Sequence, residues 1–280
     1  MASIEPALSH RTRPDRLIRR HSVWTRVTHW IWAGSLFFLL LTGLQIFNAH
    51  PTLYLGQESG FAYDNAVLDI GARQAGDGLQ GYARVLGIEL ETTGLLGVSG
   101  DAANPDLQAF PAWATIPSNR SLATGRVIHF FFAWVLVGTL AVWLLASLLN
   151  GHLWRDLVPT PDDIRALPQD IADHARLRFH HTGRYSVLQK LAYAGVLFVL
   201  LPVMILTGLA MSPAMNAAAP WLLDLFAGRQ TARTLHFAAM LLLVGFFLIH
   251  MAMIVLAGPL NELRSIITGW YRIDPRPEER

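Results

Sequence analysis

The stretch RTLHFAAMLLLVGFFLIH, Arg233 to His250, decides the fold. It is apolar almost throughout, yet it opens on an arginine and carries two histidines, His236 and His250, fourteen residues apart. A bilayer crossing takes about 20 residues of α-helix. A histidine in such a span faces the bundle interior or a cavity, because facing lipid is costly. Fourteen helical residues advance about 21 Å and turn to within about 40° of a whole number of turns. The two histidines therefore share one face, near opposite ends of the span.

Working outward, the chain holds four runs of spanning length: Val23–Phe47, Val127–Leu149, Leu191–Met211 and Leu235–Ala257. The last stops at Gly258-Pro259, a helix-ending pair. Only 15% of the 280 residues are charged, against about 25% in a soluble domain. The expected fold is an all-α membrane protein, a four-transmembrane-helix bundle with a long extracytoplasmic loop between helices 1 and 2. The expected organisation is a cytoplasmic arm (1–22), a membrane domain (23–260) with an outer loop (48–126) and a cytoplasmic loop (150–187), and a cytoplasmic tail (261–280). The first span is too long for a signal-peptide core, so no cleavable signal is expected. The chain has no cysteine, which excludes disulfides, cysteine-held iron–sulfur clusters and haem attached through CxxCH.

Charge gives the orientation. Sixteen Lys and Arg fall in the N-terminal arm, the loop after the second span and the tail, and six fall on the opposite side. Positive residues stay inside, so both termini are expected in the cytoplasm of a bacterium, with the chain in its inner membrane. The 79-residue loop 48–126, with eight Asp or Glu, then lies outside.

Depth pairs the histidines. His29 begins span one and His250 ends span four, so both lie at the inner level. His129 begins span two and His236 begins span four, so both lie at the outer level. Each level has two imidazoles and no nearby carboxylate or thiol. Zinc takes four protein ligands in its structural sites, whereas haem iron needs only two axial ones. Two haem b groups are expected, one on His29 and His250 and one on His129 and His236.

Three of these histidines follow an arginine by three residues: Arg26 in RVTH, Arg126 in RVIH and Arg233 in RTLH. One turn separates each pair on a shared face, which suits a guanidinium paired with a haem propionate. The remaining histidines read as solvated: His50 and His152 just beyond spans, and His10, His21, His174, His180 and His181 in the arm and loops.

The chain echoes itself. LTGL occurs at Leu41–Leu44 and at Leu206–Leu209, and RxxHF opens spans two and four. Counting fourteen residues across each copy shows that the inner histidine survives once per copy; Ala194 and Trp143 take the other two places. Gly43 and Gly208 fall at the outer level, where a missing side chain lets a porphyrin or a helix approach the backbone. Pro202 is expected to kink span three. APWLLDLFAGRQ, Ala219–Gln230, reads as a short amphipathic outer helix.

On these residues the chain resembles the bacterial cytochrome b561-like family, the di-haem cytochrome b subunits of hydrogenase, formate dehydrogenase and thiosulfate reductase type. The resemblance covers roughly residues 20–272. It implies electron transfer between a quinone pool and an extracytoplasmic oxidoreductase subunit, and for chains with a long outer loop a molybdopterin enzyme. YSVLQK, Tyr185 to Lys190, is similar to the family's opening of span three near a quinone pocket, with Ser186 in place of an asparagine; it makes Gln189 and Lys190 quinone candidates. No nucleic-acid partner is expected; the other contacts are lipid and quinone. One rival is a stand-alone superoxide:quinone oxidoreductase, which Arg126 and Arg233 would serve by attracting an anion and which the large outer loop argues against. A transporter with histidine relays is another, and it would carry no haem. The outer loop is expected to dock the partner and to be dispensable for haem binding.

Overall fold

The computed structural model describes residues 16–101, 103–151, 153, 158, 160–176 and 186–273. His10, His152, His180, His181 and Tyr185 lie outside them, as does the side chain of His174. In chain order the first elements are β1 (Arg16–Arg19), α1 (Val23–Phe47), β2 (Thr52–Tyr54), β3 (Ala66–Ala75), β4 (Gly78–Val85), β5 (Ile88–Glu91), β6 (Ser99–Asp101) and β7 (Asn104–Asp106). They are followed by α2 (Leu122–Leu149), α3 (Pro161–Ala175), α4 (Val187–Gly195), α5 (Leu201–Ala210), α6 (Pro213–Ala218), α7 (Trp221–Leu225), α8 (Arg229–Ala257), α9 (Pro259–Thr268) and β8 (Trp270–Ile273).

Four helical stretches are long and apolar enough to cross a membrane: α1, α2, Val187–Ala210 and α8. The first has the bounds expected from hydropathy. The second and fourth start earlier than expected, because their polar first turns, LATGR and RQTAR, are helical without being apolar. The third is composite: α4 passes through a π turn at Val196–Leu200 into α5. Pro202 has no N–H to give and crowds the preceding turn. The helix adjusts its register just before it, with the Leu201 N–H reaching back to the carbonyl of Val196. Among the described residues the closest associations between spans are α1 along α2, and α5 with its π turn along α8. These two pairs correspond to the two copies of the sequence echo.

The segment between α1 and α2 corrects the all-α expectation. It is a folded β unit, with β2-β3-β4-β5 forming an antiparallel meander and β6-β7 a small hairpin. Pairs Ala75↔Gly78 and Val85↔Ile88 close two-residue turns, and such turns take glycine because they need positive φ. The core of the unit contains Leu53, Ile70, Ala83 and Ala109 together with Phe47 from the end of α1, and Phe237 of α8 packs against it. The β unit and the helix ends thus share one apolar cluster.

The β unit also caps α8. No side chain caps this helix, and its preceding residue Gly228 has φ 121°. The Gly56 carbonyl accepts the N–H groups of Gln230 at 3.1 Å and Thr231 at 3.3 Å, two of the donors that a helix start leaves unpaired. A Cβ on Gly228 would stand 2.5 Å from that carbonyl oxygen, so glycine is needed there on both counts. The expected amphipathic helix over Ala219–Gln230 is accordingly corrected. Only Trp221–Leu225 form a helix of their own, and Arg229 and Gln230 already belong to α8.

At the other end of the bundle, the arm and the tail come together. β1 runs antiparallel to β8, from Arg16↔Ile273 to Arg19↔Trp270. Arg20 bonds Glu262 at 3.3 Å and lies 4.3 Å from the ring centre of Tyr271. α3 is tied to the start of the third span by Lys190 to Asp163 at 2.8 Å and by the Leu188 N–H to Asp170 at 2.8 Å.

Candidate functional site

His129 enters from the second turn of α2 and His236 from the second turn of α8, both at the end of the bundle that carries the β unit. Their ring centres stand 6.5 Å apart with planes inclined by 56°. A metal–imidazole nitrogen bond is about 2.0 Å and a ring centre lies about 1 Å further on, so two imidazoles on opposite sides of one ion have centres about 6 Å apart. The observed spacing fits a single iron between them.

Each imidazole is held by the neighbouring helix of its own pair. His129 Nδ1 lies 3.0 Å from Thr42 Oγ1, and His236 Nδ1 lies 3.0 Å from Thr207 Oγ1. Both threonines are completely buried. Each is followed by a glycine, Gly43 or Gly208. A Cβ on Gly43 would meet His129 Cε1 at 3.5 Å, and one on Gly208 would meet His236 Cε1 at 3.4 Å. The glycines therefore stand against the imidazoles, and their missing side chains let the neighbouring helix approach. Thr42 and Thr207 are partners of the two histidines that periodicity and depth do not single out, although the repeated LTGL is their signal.

At the opposite end, His29 lies near the start of α1 and His250 near the end of α8, within electrostatic range of one another. The ring of Phe246 stacks on His250 with centres 5.8 Å apart. His29 Nδ1 and, one turn earlier, Arg26 Nε are buried with no hydrogen-bond partner. A carboxylate would satisfy the arginine. In the first copy, the position fourteen residues after His129 holds Trp143, whose ring meets Trp32 edge-on at 5.5 Å. Among the described residues, no three His, Asp or Glu side chains gather to hold a metal ion by themselves. Paired imidazoles, with the unpartnered Nε of a half-buried Arg26 beside one of them, suit a group that brings four nitrogens and two acids of its own, as haem does.

The three arginines differ in their surroundings. Arg233 donates to the Thr52 carbonyl at 2.7 Å and to the His50 carbonyl, and lies 5.6 Å from the ring centre of Phe47. It binds the β unit to α8. Arg126 is exposed over the ring of Phe130, 5.6 Å from its centre. Arg26 packs against Gly269, where a Cβ would lie 3.2 Å from Nη1. His21, read as a solvated residue, is partly buried instead. Burial, with Arg20, His29 and Arg26 nearby, pulls its imidazole down to about 4.

The quinone candidates have structural partners. Gln189 and Ser186 form a reciprocal capping box, the Ser186 hydroxyl accepting from the Gln189 N–H at 3.2 Å and the Gln189 side-chain Oε1 accepting from the Ser186 N–H at 3.1 Å. Lys190 is the partner of Asp163, whose carboxyl this lysine and the Thr160 N–H hold down at about 2. Ser186, standing in place of the asparagine, supplies the N-cap of this box.

Comparison with known proteins gives a family match and a relative. The family model of prokaryotic cytochrome b561 matches residues 107–269, more than half of the chain. The chain is also 24% identical over 251 residues to the "Putative protein-methionine-sulfoxide reductase subunit YedZ1" of Azospira oryzae, a match that covers 89% of this chain and 96% of that protein.

Proposed function

This chain belongs to the prokaryotic cytochrome b561 family, membrane haem b proteins of electron transfer, and from that membership we propose a protein that carries two haem b groups and passes electrons between the quinone pool and an oxidoreductase outside the cytoplasm. The observation that carries the reading is the facing pair His129 and His236, 6.5 Å apart, each with its Nδ1 against a buried threonine.

In this reading His129 and His236 ligate the haem beside the β unit, and His29 and His250 ligate the second, about 21 Å along the same helix face. Bound haem supplies reversible one-electron chemistry at its iron. The chain fixes the ligands, supplies Arg26 and Arg126 toward propionates, and surrounds the path with apolar helix. Arg233 gives its guanidinium to the β unit and acts on that haem through its charge. The excess of Lys and Arg at the other end orients the β unit outward in a bacterial inner membrane, with both termini in the cytoplasm. The Azospira oryzae relative is named as a reductase subunit, which supports a separate catalytic partner, of the molybdopterin oxidoreductase class, docking on the β unit. Quinone exchanges electrons at the His29–His250 end, where Gln189 and Lys190 shape the start of the third span.

The test is spectroscopic. Purified protein shows two b haems per chain, both reducible by quinol. Alanine at His129 or His236 removes one of them, alanine at His29 or His250 removes the other, and His50→Ala keeps both. Undiminished haem in His236→Ala overturns the ligand assignment.

A further inference from the structure

The geometry points to Thr42 and Thr207 as matched latches that set the tautomer of the two haem ligands beside the β unit, and so lower the reduction potential of that haem. The inference rests on the haem reading above and adds two positioning residues to it.

The hydrogen bonds fix the direction of donation. A threonine hydroxyl has one proton. Thr42 Oγ1 lies 2.6 Å from the carbonyl oxygen of Phe38, and Thr207 Oγ1 lies 2.6 Å from that of Val203, each one turn back on its own helix. A carbonyl can only accept, so the hydroxyl proton goes there. The lone pair facing the imidazole at 3.0 Å then requires a proton on Nδ1 of His129 and of His236. A neutral imidazole has one N–H, so Nε2 is left bare in both rings. A backbone carbonyl also lies within hydrogen-bonding range of each ring, that of Leu39 for His129 and that of Met204 for His236.

The placement repeats in both copies. In each, a fully buried threonine and the glycine after it on one helix meet the histidine of its neighbour, threonine at Nδ1 and glycine at Cε1. The backbone carbonyl polarises the hydroxyl, and the hydroxyl polarises the imidazole. An imidazole that donates from its distal nitrogen is a more basic ligand and stabilises the oxidised metal. His29 differs, its Nδ1 being buried without a partner. The two haems thus receive different ligand strengths from the protein, with the lower contribution to potential on the side of the β unit.

The experiment is a redox titration of the full-length protein with Thr42→Val, Thr207→Val and the two serine variants. Each valine variant shifts one haem, the same one in both cases, to a more positive midpoint and leaves the other in place. Each serine variant restores the original value. An unchanged midpoint with that haem retained overturns the latch, and so does a serine variant that shifts as far as valine. If valine expels the haem, the serine variant decides: retention at the original midpoint sustains the latch, and loss overturns it. The tautomer is also read directly. Nitrogen-15 NMR of histidine-labelled protein shows Nδ1–H at His129 and His236, and protonation at Nε2 instead overturns the latch even where the haem assignment itself has failed in His236→Ala.

Discussion

Gly56 of the β unit and Thr231 in the first turn of α8 hold each other twice. The Thr231 N–H donates to the Gly56 carbonyl at 3.3 Å, and the Gly56 N–H donates to Thr231 Oγ1 at 2.7 Å. Close by, Thr234 Oγ1 donates to the Tyr54 carbonyl at 2.6 Å and Gln230 Nε2 to Ser59 Oγ at 2.7 Å. The helix that carries His236 therefore begins on the β unit. This bears on the expectation that the segment between the first two spans is a detachable docking platform.

Replacing residues 51–120 by a Gly/Ser linker is accordingly expected to release the start of α8, expose the cluster around Phe47 and Phe237, and deplete the haem on His129 and His236. Haem content per chain checks this, with the second haem as internal control. Full retention of both haems would show that the β unit only recognises a partner. Thr231→Val, which removes one bond, costs about 1 kcal/mol and leaves both haems bound.

Arg233→Ala removes two charge-assisted bonds to the carbonyls of His50 and Thr52. The expected loss is about 2–4 kcal/mol in stability, together with a fall in the midpoint of the nearby haem, since a positive charge favours the more negative reduced form. Lysine at 233 recovers much of the potential but little of the stability, because a single ammonium does not reproduce the planar fork. Arg126→Ala, at an exposed position, lowers the midpoint without a comparable loss of stability. Thermal unfolding and redox titration of the three variants separate the two roles.

Gly208→Ala brings a methyl group to 3.4 Å from His236 Cε1, which is tight but tolerable. It is expected to retain both haems. Gly208→Leu pushes the imidazole off its position and loses the haem on His129 and His236. Gly43 follows the same pattern against His129. Absorption spectra of the four variants check the series.

Acid sensitivity is expected from His21. Its folded-state value of about 4 lies below the ordinary 6.5. Above 6.5 the group is neutral in both folded and unfolded chains and contributes no pH dependence. As pH falls from 6.5 toward 4 the unfolded chain takes up a proton that the folded chain refuses, so stability drops across that window. His21→Gln flattens this part of the stability profile, measured by thermal unfolding between pH 7 and 4.

The sequence by itself determined the four spans and where along each of them a histidine falls. Those properties are one-dimensional: hydropathy along a chain and 1.5 Å of rise per residue. It also held the LTGL repeat, and alternating stretches such as AVLDIGARQAGDGLQGYARV with glycine at their turns. Repetition alone did not say that the threonine meets a histidine, nor did a glycine-rich loop say that it pairs into a sheet. Tertiary structure decided those points. Thr42 reaches His129 across 87 residues, and Gly56 caps a helix that begins more than 170 residues later. It also gave Arg233, whose RxxH spacing matches that of Arg26 and Arg126, main-chain partners that the spacing does not show. The guanidinium reaches the main-chain carbonyls of His50 and Thr52, and only the folded chain brings those acceptors within range, because they lie more than 180 residues away in sequence.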